Sequence, residues 1–141
     1  MPVTLRFLLD TNIVSNPIAK KPNRKVIVRL TQHSRSCAIA APVWHELIYG
    51  CQLLADGKRR TAVDEYLQNV VKAAFPILPY DEPAALWHGM ERAQLEKAGR
   101  TVPFVDGQIA AIAKRHDLTL VTSNPKHFAH FQGFTVVDWS A

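Results

Sequence analysis

Apolar positions recur along this chain in two rhythms. Leu5, Phe7, Leu8 and Leu9 form an almost unbroken run, the pattern of a central strand covered on both faces. Residues 118–122 repeat it, and 37–41 and 134–137 read as shorter strands. Residues 75–80 make a further one, whose Pro76 and Pro79 suit a sheet edge. Between these runs the spacing turns helical. A short helix follows Asn12, and residues 26–33 carry Val26, Ile27 and Leu30 on one side. Pro42 opens a helix to about residue 56 with Val43, Leu47, Cys51 and Leu54 inward. Residues 61–73 turn Val63, Tyr66, Leu67, Val70 and Val71 inward. Asp81 and Glu82 open a helix through Leu86, Met90 and Ala93 to Leu95, stopped by Gly99. In residues 105–116 the inward stripe is Val105, Ile109, Ile112 and Ala113, with Gly107, Gln108, Lys114 and Arg115 outside. Strands alternating with helices predict a mostly parallel sheet flanked by helices on both sides.

The length of 141 residues suits one domain, 1–141, able to bury its own core. No linker, repeat or low-complexity tract divides it. No apolar run approaches the ~20 residues of a membrane span. Met1 to Thr4 leads straight into the first strand without a basic and apolar leader. The expectation is a cytoplasmic protein with no membrane partner. Cys37 and Cys51 are too few for a disulfide framework and read as small core residues. The 17 Lys and Arg exceed the 12 acids, giving +5. A basic surface suits a polyanion, most simply nucleic acid.

Candidate chemistry gathers around acids. Asp10 ends the first strand and runs into Thr11, Asn12 and Ser15, short polar residues of the capping kind. A strand-end aspartate commonly does no more than cap the next helix. Here Glu46 projects from the flank of its helix beside Gly50 and Leu53, and Asp106 sits at the edge of a buried stripe in a first turn. Asn124 follows another strand end. Helices that follow strands start at the carboxyl edge of the sheet, where open α/β folds keep their sites, so all four can converge. Three close carboxylates repel and raise at least one pKa. A hard divalent cation, Mg²⁺ with Mn²⁺ able to substitute, relieves the conflict and suits phosphodiester hydrolysis. No Gly-rich phosphate loop, G-x-S-x-G turn or H-E-x-x-H spacing competes. The six histidines read as surface or helix-end residues, with His127 or His130 candidates for touching phosphate.

Four segments in order carry a family resemblance: Leu8-Leu9-Asp10-Thr11-Asn12, His45-Glu46-Leu47-Ile48-Tyr49-Gly50, Pro103-Phe104-Val105-Asp106 with Ile109-Ala110-Ala111, and Leu120-Val121-Thr122-Ser123-Asn124 with Phe128. The chain resembles the PIN-domain toxins of bacterial toxin–antitoxin pairs, the VapC family. The resemblance implies a five-stranded sheet of order 3-2-1-4-5 and a metal-dependent endoribonuclease. It implies that Asp10, Glu46 and Asp106 hold Mg²⁺, with Asn124 at a fourth catalytic position that is often Asp, and Asn12 and Thr122 orienting the acids. It also implies an RNA substrate, with transfer RNA the family-level guess, a homodimer and a cognate antitoxin. That antitoxin would lay an apolar segment between the helices of Val26, Ile27 and Leu30 and of Tyr66, Leu67, Val70 and Val71. Lys20, Lys21, Arg24, Lys25, Lys126 and His127 are the candidate RNA contacts. The alternatives are a PIN-domain nuclease of RNA processing that is no toxin, and a catalytically silent module that binds RNA or protein. A phosphotransferase using Asp10 as nucleophile fits poorly, because Asn12 stands where that chemistry usually places a second acid.

Overall fold

The computed structural model describes residues 4–141; the leaderless start read at Met1 to Val3 lies outside them. Five strands form one all-parallel sheet in the order β3-β2-β1-β4-β5. They are β1 Phe7–Leu9, β2 Cys37–Ala40, β3 Ile77–Leu78, β4 Thr119–Val121 and β5 Val136–Val137. Phe7, Leu8 and Leu9 point alternately to opposite faces, and all three are buried. The unbroken apolar run is therefore what a strand covered on both sides needs. Leu9 stands level with Ile39 and Val121, so the ends of β1, β2 and β4 come out at one edge.

Among the described residues seven α-helices connect the strands: α1 Thr11–Val14, α2 Arg24–His33, α3 Ala41–Leu53, α4 Lys58–Tyr66, α5 Lys72–Ala74, α6 Glu82–Lys97 and α7 Phe104–Arg115. Between α4 and α5 the ladder widens into a π turn at Leu67–Val71. Three of the starts have a local cause. The Asn23 side chain accepts from the backbone N–H of Lys25 and Val26, and that of Asp81 from Ala84. Pro42 falls in the first turn of α3, where its missing N–H breaks no bond. Gly99 ends α6 with a φ of 79°, a left-handed conformation that glycine adopts without strain.

The packing departs from the predicted stripes at several points. α3 stops at Leu53, α4 starts at Lys58, and β5 shrinks to Val136–Val137. Val70 is 51% exposed, because the π turn shifts the register after Leu67. Leu86 and Met90 are 64% and 59% exposed; the inward line of α6 is Ala84, Trp87, His88 and Leu95. His88 is buried, 3% exposed, against the expectation that every histidine lies at the surface or a helix end. Gly107, expected on the polar face of α7, is buried beside it. The C-terminal segment turns back across the fold, and Trp139 packs on Phe7 and His33 at centroid distances of 5.1 and 5.5 Å. Burial pushes the Cys37 thiol up to about 12, so it is an inert core group. Among the described residues no helix is long and apolar enough to cross a membrane.

Candidate active site

Asp10 follows the last residue of β1, its N–H donating to the Val121 carbonyl at 2.9 Å. Its carboxylate does two jobs. Oδ1 caps α1 by accepting from the Thr11 N–H at 2.8 Å, and Oδ2 accepts from the Thr122 hydroxyl at 2.8 Å. Thr122, fully buried beyond β4, also accepts from the Asn124 N–H at 3.1 Å. Thr122 thus holds the Asp10 carboxylate through its hydroxyl. Asn12 does not touch an acid: its Oδ1 accepts from the Ser123 N–H at 3.1 Å, tying the loop after β4 to α1. It shapes that loop instead.

Glu46 lies half-buried on α3, and its Oε2 accepts from the Thr11 hydroxyl at 2.6 Å. One residue therefore links two acids, capping to Asp10 through its backbone and clamping Glu46 through its side chain. Sequence reasoning assigned Thr11 only a capping role. The available signal was its place directly after a strand-end acid, at the first position of a helix.

Asp106 sits in the first turn of α7. Burial raises its pKa, with the negative charges of Asp10 and Glu46 adding to the rise and the positive charge of His127 opposing it. The three acids and His127 therefore share one electrostatic neighbourhood. His127 belongs to the turn Pro125–Phe128, which is anchored by buried Phe128 and follows Asn124. Asn124 itself is exposed.

Among the described residues no three His, Cys, Asp or Glu side chains are gathered tightly enough to enclose an ion by themselves. Uncompensated carboxylates repel, and Glu46 is held back by Thr11. The donors are nonetheless hard oxygens with a raised carboxyl among them. That set fits Mg²⁺, which takes one or two carboxylates directly and keeps several waters.

The candidate RNA contacts divide into two places. His127 acts on the Asp106 carboxyl, and Lys126 precedes it in the same exposed turn after Asn124. Lys20 and Lys21 lie exposed in the loop before α2. Arg24 and Lys25, with Arg29, Asp138 and Trp139, line a cleft of about 460 Å³ that shares no residue with the acids. His130 instead meets Arg100, Nδ1 to Nη1 at 2.6 Å.

Two apolar clefts complete the surroundings. One of about 330 Å³ opens directly on Thr11 and Glu46 and is floored by Leu47, Cys51, Val63 and Leu67. The other, about 380 Å³, lies between α2 and the α4–α5 stretch, lined by Ile27, Leu30, Tyr66, Val70 and Phe75. Ile18 borders the first and Pro17 the second, so the two adjoin.

The fold is that of a PIN domain: the family's sequence profile matches residues 7–133, and the chain belongs to the PIN domain family. It is similar to toxin FitB of Neisseria gonorrhoeae, 35% identical over 125 residues, covering 86% of this chain and 90% of that one. The tRNA(fMet)-specific endonuclease VapC of Shigella flexneri is 35% identical over 136 residues, covering 96% and 99%. Among solved structures, DNA-bound VapBC from Salmonella typhimurium superposes with a TM-score of 0.81 at 31% identity, covering 96% of this chain and 99% of that one. The five-stranded order that the family resemblance implies is the order observed.

Proposed function

We propose that this protein is the toxin of a toxin–antitoxin pair, an endoribonuclease that cuts RNA phosphodiester bonds with Mg²⁺ held by Asp10, Glu46 and Asp106. The observation that carries this reading is the gathering of the acids at the sheet's carboxyl edge, where Thr11 joins Asp10 to Glu46 through its N–H and its hydroxyl and the charges of both reach the buried Asp106 carboxyl. Relatives named VapC endonuclease and toxin FitB support the class.

The bound cation would supply positive charge for a water nucleophile and for the scissile phosphate. The chain's own groups do the rest. Thr122 and the Thr11 N–H hold both Asp10 oxygens in place, and the Thr11 hydroxyl fixes Glu46. Asp106 brings a third carboxylate to the ion from the first turn of α7. Asn124 offers a neutral oxygen where a fourth acid would add charge, which favours one tightly held ion over two. Lys126 and His127 stand where the RNA backbone passes the acids.

The cognate antitoxin would lie along the two adjoining clefts and bring an Arg or Lys to Glu46. The Salmonella typhimurium relative is itself a VapBC assembly. The homodimer implied by the family has apolar material in exposed Leu86 and Met90 on α6, and sedimentation of a Met90→Lys variant tests it. The activity is tested by incubating the protein with transfer, ribosomal and messenger RNAs, with Mg²⁺ and with EDTA. Cleavage in Mg²⁺ only supports the reading; binding without cleavage in either buffer supports the silent module.

A further inference from the structure

His88 is the buried histidine that the acid site does not use. Its Nδ1 shares a hydrogen bond of 2.8 Å with the Tyr80 hydroxyl, just after β3. Its ring packs on Phe104 at 4.9 Å, and the Arg92 guanidinium lies over the Phe104 ring at 5.2 Å. The remaining edge of the imidazole presses on α7. A Cβ built on Gly107 would lie 2.1 Å from Nε2, 2.7 Å from Cδ2 and 2.9 Å from Cε1. No real Cβ sits that close to a ring locked by a hydrogen bond and two packed neighbours. Glycine at 107 is required by this histidine, and the histidine touches α7 at the residue after Asp106.

We infer that His88 is a positioning residue: held by Tyr80 and packed against Gly107 and Phe104, it fixes the first turn of α7 and thereby the placement of Asp106 among the acids. The inference rests on the acid reading above. Two features favour a role in placement over simple filling of the core. The contact falls in the first turn, where α7 has no preceding turn to hold it and no side-chain cap at Pro103. The ring is clamped on three sides, so a displacement at either partner is passed on rather than absorbed. A site residue held to within about half an ångström depends on such backing groups.

The test uses the whole chain and two readouts. Mn²⁺ binding to the RNA-free protein is measured by calorimetry, and cleavage of transfer RNA in Mg²⁺ is followed at steady state. Gly107→Ala should weaken Mn²⁺ binding and lower kcat about tenfold or more, the range seen when groups behind metal ligands are lost, with KM for RNA unchanged. His88→Ala should likewise weaken Mn²⁺ binding and lower kcat, because the first turn of α7 then loses its backing; a folded His88→Ala variant with unchanged Mn²⁺ binding overturns the inference. A pair that only supports the fold would change the melting temperature and leave metal affinity and kcat of the folded protein alone, and that result overturns the inference. If Gly107→Ala does not fold, Tyr80→Phe reads the same coupling without adding an atom: weaker Mn²⁺ binding supports it and unchanged binding overturns it. Asp106→Ala serves as the control. Impaired Asp106→Ala beside unimpaired Gly107→Ala removes the inference and leaves the acid reading intact, whereas full activity of Asp106→Ala removes both.

Discussion

Asp106 carries two opposing demands, since its charge is what a cation needs and what the empty fold resists. Burial and the neighbouring acids raise its pKa from the ordinary 3.8. A raised folded-state pKa means that the native protein holds the proton more tightly than the unfolded chain. Metal-free stability therefore falls as pH rises from 3.8 through the raised value, and the cost is fully present above it. Asp106→Asn should then melt higher than the wild type at neutral pH without metal, and the gap should close as the pH is lowered toward 3.8; melting curves across pH check both. An unchanged gap would mean that the acid is not strained. Thr11→Val tests the neighbouring clamp. Losing a hydrogen bond to a charged group costs about 1.5–3 kcal/mol when buried, and less here because Glu46 is only half-buried. Cleavage should drop about tenfold at limiting Mg²⁺ and less at saturating Mg²⁺. The acids were legible because strand ends and buried helix flanks are poor places for charge. Thr11 was not, because a hydroxyl beside a cap has a sufficient local explanation until the fold brings Glu46 against it.

At the scale of elements, β1 is the axis of the site, and its three buried residues join β2 and β4 while delivering Asp10. Leu9→Ala should destabilise the protein by about 2–5 kcal/mol through the cavity it leaves, measured by urea unfolding. Tyr66 ties the α4–α5 stretch to α1, its hydroxyl donating to the Val14 carbonyl at 2.6 Å. Burial pushes the phenol up to about 12, so the bond persists across the physiological range. The alternation of strands and helices was readable because each strand is a short apolar run and each helix has a stripe, whereas the strand order came from the family resemblance. What was not readable followed from packing. The π turn moves Val70 outward, and α6 turns Leu86 and Met90 to solvent. His88 and Gly107 could not be read as a pair, since a histidine fits a polar face and a glycine fits anywhere until the two helices meet.

At the scale of the molecule, the excess of 17 basic over 12 acidic side chains matters through where it lies. His127 acts on Asp106 from the turn that also carries Lys126, while Arg24, Lys25 and Arg29 line a separate cleft. Each phosphate contact removed should flatten the salt dependence of RNA binding by about one unit of slope. Lys126→Ala should therefore lower both slope and cleavage; Lys20→Ala with Lys21→Ala would leave the slope unchanged if that loop is only a solvated face. An inhibitory antitoxin that brings a cation to Glu46 should lose potency as Mg²⁺ rises, because both occupy the same carboxylates. Each of these expectations depends on the acids holding an ion that does the chemistry. The direct measurement is the rate of RNA cleavage against Mg²⁺ concentration for the wild type and for Asp10→Ala, Glu46→Ala and Asp106→Ala, with circular dichroism confirming the fold of each. The wild type should saturate with Mg²⁺ and fall silent in EDTA, and each variant should stay folded and lose about a hundredfold or more of kcat. A folded variant that cleaves near the wild-type rate, or wild-type cleavage that persists in EDTA, would contradict it.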